Sequence, residues 1–309
     1  MAYRIEDLRR DLRSRNTPLQ RRIDGWLWRR RNARALARSA PDKDALRVVF
    51  AIPLISRARA ENWDRVQETL RATLHCLERQ SDPRWYAIIC CQDRPERVSF
   101  GERVRFVPFP QVLEGWDKHA KAVHARHWIA NHLRGAGYYF ALDADDLMHP
   151  DLVRYILTDD NRSGYLIEKG YMLDYATLDL AVLQPADAAY PEATHFYRSC
   201  GSSSAIWFDF DCGADFLTAL AARGNHRKVV RNMGYLGFDV GMIPFHAAVY
   251  VMNHGDNLRQ KRGLMSGKMK HFDVNPVRDR ARASDIGESF GFGELFPGRW
   301  PEAKLAPAD

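Results

Sequence analysis

The chain has 309 residues, of which 46% are hydrophobic and 28% charged, which predicts one large or two smaller soluble domains with a sizeable core. No apolar run approaches the roughly 20 residues of a membrane-spanning helix, and the N-terminus lacks the apolar region of a signal peptide. The five cysteines are scattered without the paired spacing of a metal site, which predicts reduced thiols in a cytoplasmic protein.

The net charge of +7 is concentrated at the N-terminus. Residues 1–40 hold twelve arginines and four acidic residues, a net charge of +8, so the remaining 269 residues carry −1. Nucleic-acid binding needs basic charge on the binding surface. Because the body of the chain is nearly neutral, no nucleic-acid partner is expected.

Two helices are predicted in this basic arm. Ile5, Leu8 and Leu12 follow helical spacing, and residues 17–20 have the pattern of a capping box with proline at the first helical position. The second helix is expected to carry an apolar stripe among its arginines, formed by Leu19, Ile23, Trp26 or Leu27, and Ala33. Such a helix either lies on an anionic membrane surface or packs on the domain or on another subunit.

The globular pattern begins after a polar linker at residues 39–44. Buried strands are predicted at 47–54, 85–91 and 104–107, and helices at 63–77 and 116–133. Alternating strands and helices predict a mostly parallel sheet covered on both faces.

The stretch from Tyr138 to Leu152 carries the strongest chemical signal. A buried strand is predicted to end at Asp143, Asp145 and Asp146. Carboxylates crowded at one strand end repel one another unless a cation neutralises them, and strand ends bind ligands in open α/β sheets. We therefore predict a hard divalent ion that bridges carboxylate and phosphate oxygens. The alternative is an acidic turn that caps the following helix.

The second half of the chain carries weaker signals. Residues 164–176 predict paired strands, and Gly201–Ser204 is either a loop that lines a ligand or a simple turn. An apolar run delivers His254 into a glycine turn. The glycine-interrupted basic residues between 259 and 270 form either a loop that closes over a diphosphate or a solvated surface loop.

Four segments, in this order, resemble landmarks of family-2-type glycosyltransferases with the GT-A fold. They are IPLISR at 52–57, LERQSDPRWYAII at 77–89, the pair Ala125-Arg126, and DADD at 143–146, which resembles the DXD motif. The resemblance implies an α/β, GT-A-like nucleotide-diphospho-sugar transferase fold with a mostly parallel central sheet and helices on both faces. Together with the charge and composition of the two ends, it predicts a basic amphipathic helical arm at 1–44, a GT-A-like catalytic domain at 45–271 and an irregular tail at 272–309.

The resemblance also implies roles for individual residues. The nucleotide sugar is expected to contact Pro53, Arg57, Asp93, Lys118, Arg126, Asp143, Ala144, Ser203 and Arg259. The metal, Mn²⁺ or Mg²⁺, is expected on Asp145 and His254. Asp239 resembles the position of the catalytic base of inverting enzymes, and the alternative is that it caps a helix.

These features predict a metal-dependent, inverting glycosyltransferase in surface polysaccharide or glycolipid synthesis. It would move a sugar from a nucleotide-diphosphate donor to a hydroxyl on a glycan or glycolipid. We expect it in the cytoplasm, peripheral on the inner face of the membrane through residues 1–40. One rival is a haloacid-dehalogenase-type phosphohydrolase, which also uses two aspartates after a strand. Another is a non-enzymatic scaffold on a membrane surface.

Overall fold

Strands of one nine-stranded sheet and the helices around it make up the described part of the chain, residues 17–253, 255 and 266–300, in a computed structural model. The strands are β1 (Arg47–Pro53), β2 (Trp85–Cys91), β3 (Val104–Pro108), β4 (Ala136–Ala141), β5 (Leu147–Met148), β6 (Tyr165–Asp174), β7 (Leu180–Leu183), β8 (Ser204–Asp209) and β9 (Gly241–Met252). The helices are α1 (Pro18–Arg38), α2 (Trp63–Glu78), α3 (Lys118–His132), α4 (Leu152–Asp159), α5 (Phe196–Ser199), α6 (Phe216–Ala222), α7 (Val229–Tyr235), α8 (Ser266–Val274), α9 (Arg280–Phe290) and α10 (Phe292–Leu295), with single 3-10 turns at Arg57–Arg59 and His226–Lys228.

The first half of the sheet is parallel. Its strands lie in the order β3-β2-β1-β4, and every neighbouring pair is parallel. These strands are continuous apolar runs because helices such as α3 and α4 pack on them. The prediction of a mixed α/β fold with parallel strands is confirmed here. The carboxyl ends of β2, β1 and β4 consequently meet at one edge of the sheet, which we call the carboxyl edge.

The second half of the sheet mixes both directions. β8 is antiparallel to β4 and to β6, whereas β6 and β9 are parallel. β7 and β5 add antiparallel pairs to β6 and β9. The link between β6 and β7 is a short turn, which permits only an antiparallel pair. The mostly parallel arrangement predicted for the whole sheet therefore applies to its first half and to the β6–β9 pair.

Helix α1 packs on the body of the protein, but not through the predicted stripe. Thr17 caps it as predicted, with Oγ1 accepting from the Gln20 amide at 3.2 Å. The buried side of the helix consists of Gly25, Trp28, Asn32 and Ala35.

Trp28 anchors this helix and is only 5% exposed. Its Nε1 donates to the Asp215 carbonyl at 2.9 Å, and its ring lies 5.6 Å from that of Phe238. Leu19 and Trp26, by contrast, are 67% and 50% exposed. The expected stripe thus faces outward, because close backbone packing selects the side of the helix that contains Gly25. A Cβ at Gly25 would have no room against the Tyr235 carbonyl.

The C-terminal segment is helical where an irregular tail was expected. α8 crosses the predicted boundary at residue 272, and α9 and α10 follow it. Asp279 caps α9, accepting from the Ala281 amide at 2.9 Å. Aromatic side chains of this segment build a second core cluster with β6, β7 and β9, and they are Phe290, Phe292, Phe296 and Trp300. Flanking proline and glycine residues obscured this helical periodicity in the sequence.

Candidate active site

The carboxyl edge of the sheet brings several predicted residues together. Pro53 ends β1, and Arg57 begins the turn that follows it. The Arg57 amide donates to Oδ2 of Asp93, just past β2, at 2.8 Å. The Arg57 guanidinium forms an ion pair with Glu96 and lies 5.4 Å from the centre of the Trp63 ring. Neighbouring parallel strands thus present two of the predicted nucleotide-sugar residues side by side.

Three aspartates follow β4 at the same edge. One carboxylate oxygen from each of Asp143, Asp145 and Asp146 lies within 4.8 Å of the others, and we call this group the aspartate cluster. Asp143 and Asp145 are half-buried, whereas Asp146 is fully buried. Ala144 between them is partly buried against the main core. Clustered hard oxygen ligands at this spacing suit a divalent cation.

Asp146 has a different environment from its two neighbours. Its Oδ2 accepts from the Cys200 thiol at 3.0 Å and from the Ser202 hydroxyl, and its Oδ1 accepts from the Val251 amide at 3.2 Å. Burial, reinforced by the charges of Asp145 and Asp143, raises the pKa of Asp146 well above its usual range. Asp146 therefore ties the aspartate turn to β9 and to the loop before β8.

Helix α3 brings a basic side chain into contact with the aspartate cluster. Nζ of Lys118, at the start of α3, lies 2.7 Å from Oδ2 of Asp143. Desolvation of the amine acts to lower the pKa of Lys118, but the nearby carboxylates, Asp143 above all, outweigh it and raise the pKa. Arg126, further along α3, is 9% exposed. Such cations could compensate the charge of a diphosphate held at the aspartate cluster.

Arg223 is a basic residue of the site that sequence reasoning missed. Its guanidinium donates to the Gly201 carbonyl at 2.8 Å and to the Ser204 hydroxyl at 2.5 Å. Burial lowers the pKa of Arg223, while the charge of Asp143 acts in the opposite direction. Arg223 comes from the segment just after α6, whose sequence gives no hint that it reaches this loop.

The loop before β8 contacts the aspartate cluster directly. The Asp143 amide donates to Oγ of Ser202 at 2.8 Å, and a Cβ built on Gly201 would lie 3.6 Å from Asp143 Oδ2. Ser203, the residue predicted to contact the nucleotide sugar, is fully buried, and its hydroxyl has no hydrogen-bond partner. The polar contact with the cluster comes from Ser202, and the contact of Ser203 with the nucleotide sugar stays a prediction.

Asp239 does not lie with the aspartate cluster. Gly241, the first residue of β9, pairs with Tyr165, the first residue of β6. Tyr165 lies at the same level of the sheet as Phe140 of β4, because both pair with the same residue of β8. The cluster follows Phe140 in the chain direction, whereas Asp239 precedes Gly241. Asp239 is also three strands away, about 14 Å, and its carbonyl accepts from a side-chain amide at the opposite edge. The predicted catalytic base is therefore at the wrong end of the sheet. His254 and Arg259 lie outside the described residues.

A glutamate–histidine pair, unlike Asp239, lies at the same end of the sheet as the aspartate cluster. Oε1 of Glu168 and Nδ1 of His195 are 3.0 Å apart, and both side chains are about a quarter exposed. β6 runs in the same direction as β4, so Glu168 is three residues past Tyr165 just as Asp143 is three residues past Phe140. Two strand spacings separate the two positions, roughly 10 Å.

A cavity of about 600 Å³ reaches the aspartate cluster through Asp145. Its walls come from α2, from the turn at 97–99 and from residues 294–297 at the C-terminal end. The aspartate cluster therefore borders this cavity through Asp145 and contacts the Gly201–Ser203 loop through Asp143.

Similarity to known proteins is found among solved structures. A scan against protein-family models gives no match, and a search of curated proteins gives none. Among solved structures, the chain is similar to a 4-diphosphocytidyl-2C-methyl-D-erythritol synthase, with a TM-score of 0.33 and 16% identity over 72% of this chain and 97% of that chain. Within the described residues, no helix combines the length and apolar character needed to cross a membrane.

Proposed function

We propose that the protein is a metal-dependent glycosyltransferase that moves a sugar from a nucleotide-diphosphate donor to a hydroxyl acceptor. The observation that carries the proposal is the aspartate cluster at the carboxyl edge, with its carboxylate oxygens within 4.8 Å of one another. Arg57 and Asp93 lie at the ends of the adjacent parallel strands, where open α/β sheets bind nucleotides. This arrangement supports donor binding across β2, β1 and β4.

The residues present fit a divalent cation. Asp146 is already satisfied by three donors, which leaves Asp143 and Asp145 to hold the ion through hard oxygen atoms. When bound, Mn²⁺ or Mg²⁺ would stabilise the negative charge that develops on the departing diphosphate. Lys118, Arg126 and Asp93 would position the donor around it.

Inverting transfer also needs a proton acceptor near the attacking hydroxyl. With Asp239 at the opposite edge, the Glu168–His195 pair is our candidate. Glu168 accepts from Nδ1 of His195, which would leave Nε2 as the base and stabilise the imidazolium after proton transfer. His195→Gln should then lower turnover strongly while donor affinity is retained. Unchanged turnover in His195→Gln would exclude this role.

The acceptor is proposed to be a glycan or glycolipid at an anionic membrane surface, on the cytoplasmic side. The outward face of α1 carries Leu19, Ile23 and Trp26, and the guanidinium of Arg30 lies 5.4 Å from the centre of the Trp26 ring. Basic helices of this kind bind anionic lipid. Trp26→Ser should weaken flotation with phosphatidylglycerol vesicles, most clearly at low salt, without lowering stability. Equal flotation by both proteins would remove the membrane from the proposal.

Thermal unfolding with nucleoside diphosphates tests the proposed function. The wild-type protein should be stabilised by a nucleoside diphosphate only when Mn²⁺ or Mg²⁺ is present, by several degrees at saturating ligand. Asp145→Ala should lose this stabilisation and sugar transfer while keeping the wild-type unfolding temperature without ligand. Asp64→Ala, which changes an exposed side chain of α2 outside the cluster, is the matched control. Stabilisation that is independent of metal, or full activity in Asp145→Ala, would refute the metal assignment.

A further inference from the structure

A second cluster of charge lies beside the Gly201–Ser203 loop. Arg198, Arg227 and Lys268 line a cavity of about 570 Å³, the basic cavity, whose other described lining residues are Thr194, Ser199 and His271. None of these lining residues is acidic. Resting on the proposed function, we propose that the basic cavity binds a phosphate group on the acceptor and thereby selects phosphorylated acceptors.

Two arginines supply the planar donors of the basic cavity. Nε of Arg227 donates to the carbonyl of Arg198 at 2.9 Å, which fixes one guanidinium relative to the backbone that carries the other. Among residues 17–253, 255 and 266–300, no carboxylate lies within ion-pair distance of either arginine. Arginine pairs of this kind recognise phosphate through parallel N–H donors.

Lys268 and His271 complete the cavity from α8. Nζ of Lys268 lies 3.4 Å from the Ser199 carbonyl and 5.5 Å from the centre of the Tyr250 ring. Burial lowers the pKa of the His271 ring, while the hydrogen bond between its Nε2 and the Val182 carbonyl, 2.9 Å long, acts in the opposite direction. The two arginines, which have no carboxylate within ion-pair distance in the described part of the chain, match the charge of a phosphate better than that of a single carboxylate.

The basic cavity is adjacent to the aspartate cluster. Ser199 lines the cavity, and two residues later Gly201 approaches Asp143. The Cα atoms of Ser199 and Gly201 can be no more than about 7.6 Å apart. Thr194, which also lines the cavity, directly precedes His195 of the proposed base pair. A phosphate in the cavity would therefore hold an acceptor hydroxyl between His195 and the donor site.

Calorimetric titration of the full-length protein with inorganic phosphate tests the proposal. EDTA in the buffer keeps cations off the aspartate cluster. The wild-type protein should bind phosphate, and the double variant R198Q/R227Q should bind it about tenfold more weakly. Arg231→Gln, an exposed substitution on α7 outside the cavity, should stay within roughly twofold of wild type. Equal affinity in wild type and double variant, or an equal loss in Arg231→Gln, would overturn the proposal.

Two further probes identify the source of the phosphate. Glucose 1-phosphate represents a soluble acceptor, and phosphatidylcholine vesicles with phosphatidic acid represent a lipid-linked one. Binding of either that is lost in R198Q/R227Q supports the proposal and names the source, whereas binding of neither contradicts it. The double variant should retain metal-dependent stabilisation by nucleoside diphosphates. If the wild-type protein lacks that stabilisation but binds phosphate in the basic cavity, the proposed function fails while the phosphate site stands.

Discussion

Asp146 should support the fold, and Asp145 should not. Val251 is 2% exposed, and removal of the Asp146 carboxylate leaves its backbone amide without its acceptor at 3.2 Å. One buried unsatisfied donor costs about 1–3 kcal/mol. The Ser202 hydroxyl and the Cys200 thiol also lose their acceptor, while the relief of repulsion within the cluster offsets part of the loss. We expect Asp146→Ala to lower the free energy of unfolding by about 2–4 kcal/mol.

Asp145→Ala is the matched comparison, because it removes the same group from the same turn. It should change stability by less than about 0.5 kcal/mol or raise it slightly, since it relieves repulsion. Urea denaturation at neutral pH without divalent ions, followed by circular dichroism and fluorescence, measures both changes. Asp146→Asn keeps the shape of the side chain and one acceptor oxygen, so its loss of unfolding free energy should lie between those of Asp146→Ala and Asp145→Ala. Wild-type stability in Asp146→Ala, or an equal loss in Asp145→Ala, refutes the assignment of separate roles.

Two further predictions concern residues away from the site. Trp28→Ala should destabilise the protein by about 3–5 kcal/mol, whereas Trp26→Ala should cost less than about 0.5 kcal/mol; equal effects in urea denaturation would contradict the packing of α1. Burial lowers the pKa of His246 to about 4, so this ring binds a proton more readily in the unfolded chain. The contribution of the neutral ring to stability is therefore present above pH 6.5 and is lost as pH falls toward 4. The free energy of unfolding should fall by about 2 kcal/mol by pH 5, and this loss should be absent in His246→Phe. An identical dependence of the unfolding free energy on pH in both proteins would argue against the prediction.

The sequence predicts most of the parallel half of the sheet and the place of the aspartate cluster. β1, β2 and β4 are buried on both faces, so they read as unbroken apolar runs. The carboxylates at the end of β4 stand out against that background. These are local signals, and the short-range pattern of the chain is sufficient to find them.

The contacts that were missed depend on tertiary placement. Ser202 reaches the cluster, and Arg223 reaches the loop that contains Ser202, because β8 inserts antiparallel between β4 and β6. No local pattern predicts that insertion. Asp239 illustrates the reverse, because its neighbourhood resembles a motif while the β6–β9 pairing carries it to the opposite edge. The buried side of α1 is likewise chosen by Gly25 and its close approach to another helix, rather than by the most apolar stripe.

Lys118 offers a final test, because it should compete with the metal ion in the absence of donor. Its ammonium lies 2.7 Å from Asp143, and its side chain is 46% exposed, so solvent screens the pair and it contributes at most about 1 kcal/mol. Lys118→Gln should therefore leave stability nearly unchanged and tighten Mn²⁺ binding to the free protein by up to about fivefold. With a nucleoside diphosphate present, Lys118→Gln should instead weaken Mn²⁺ binding, because the lysine of the wild-type protein then pairs with phosphate. Calorimetric titration of Mn²⁺ with and without the nucleotide measures both affinities. Weaker Mn²⁺ binding to the free variant would mean that Lys118 assists the ion instead of competing with it.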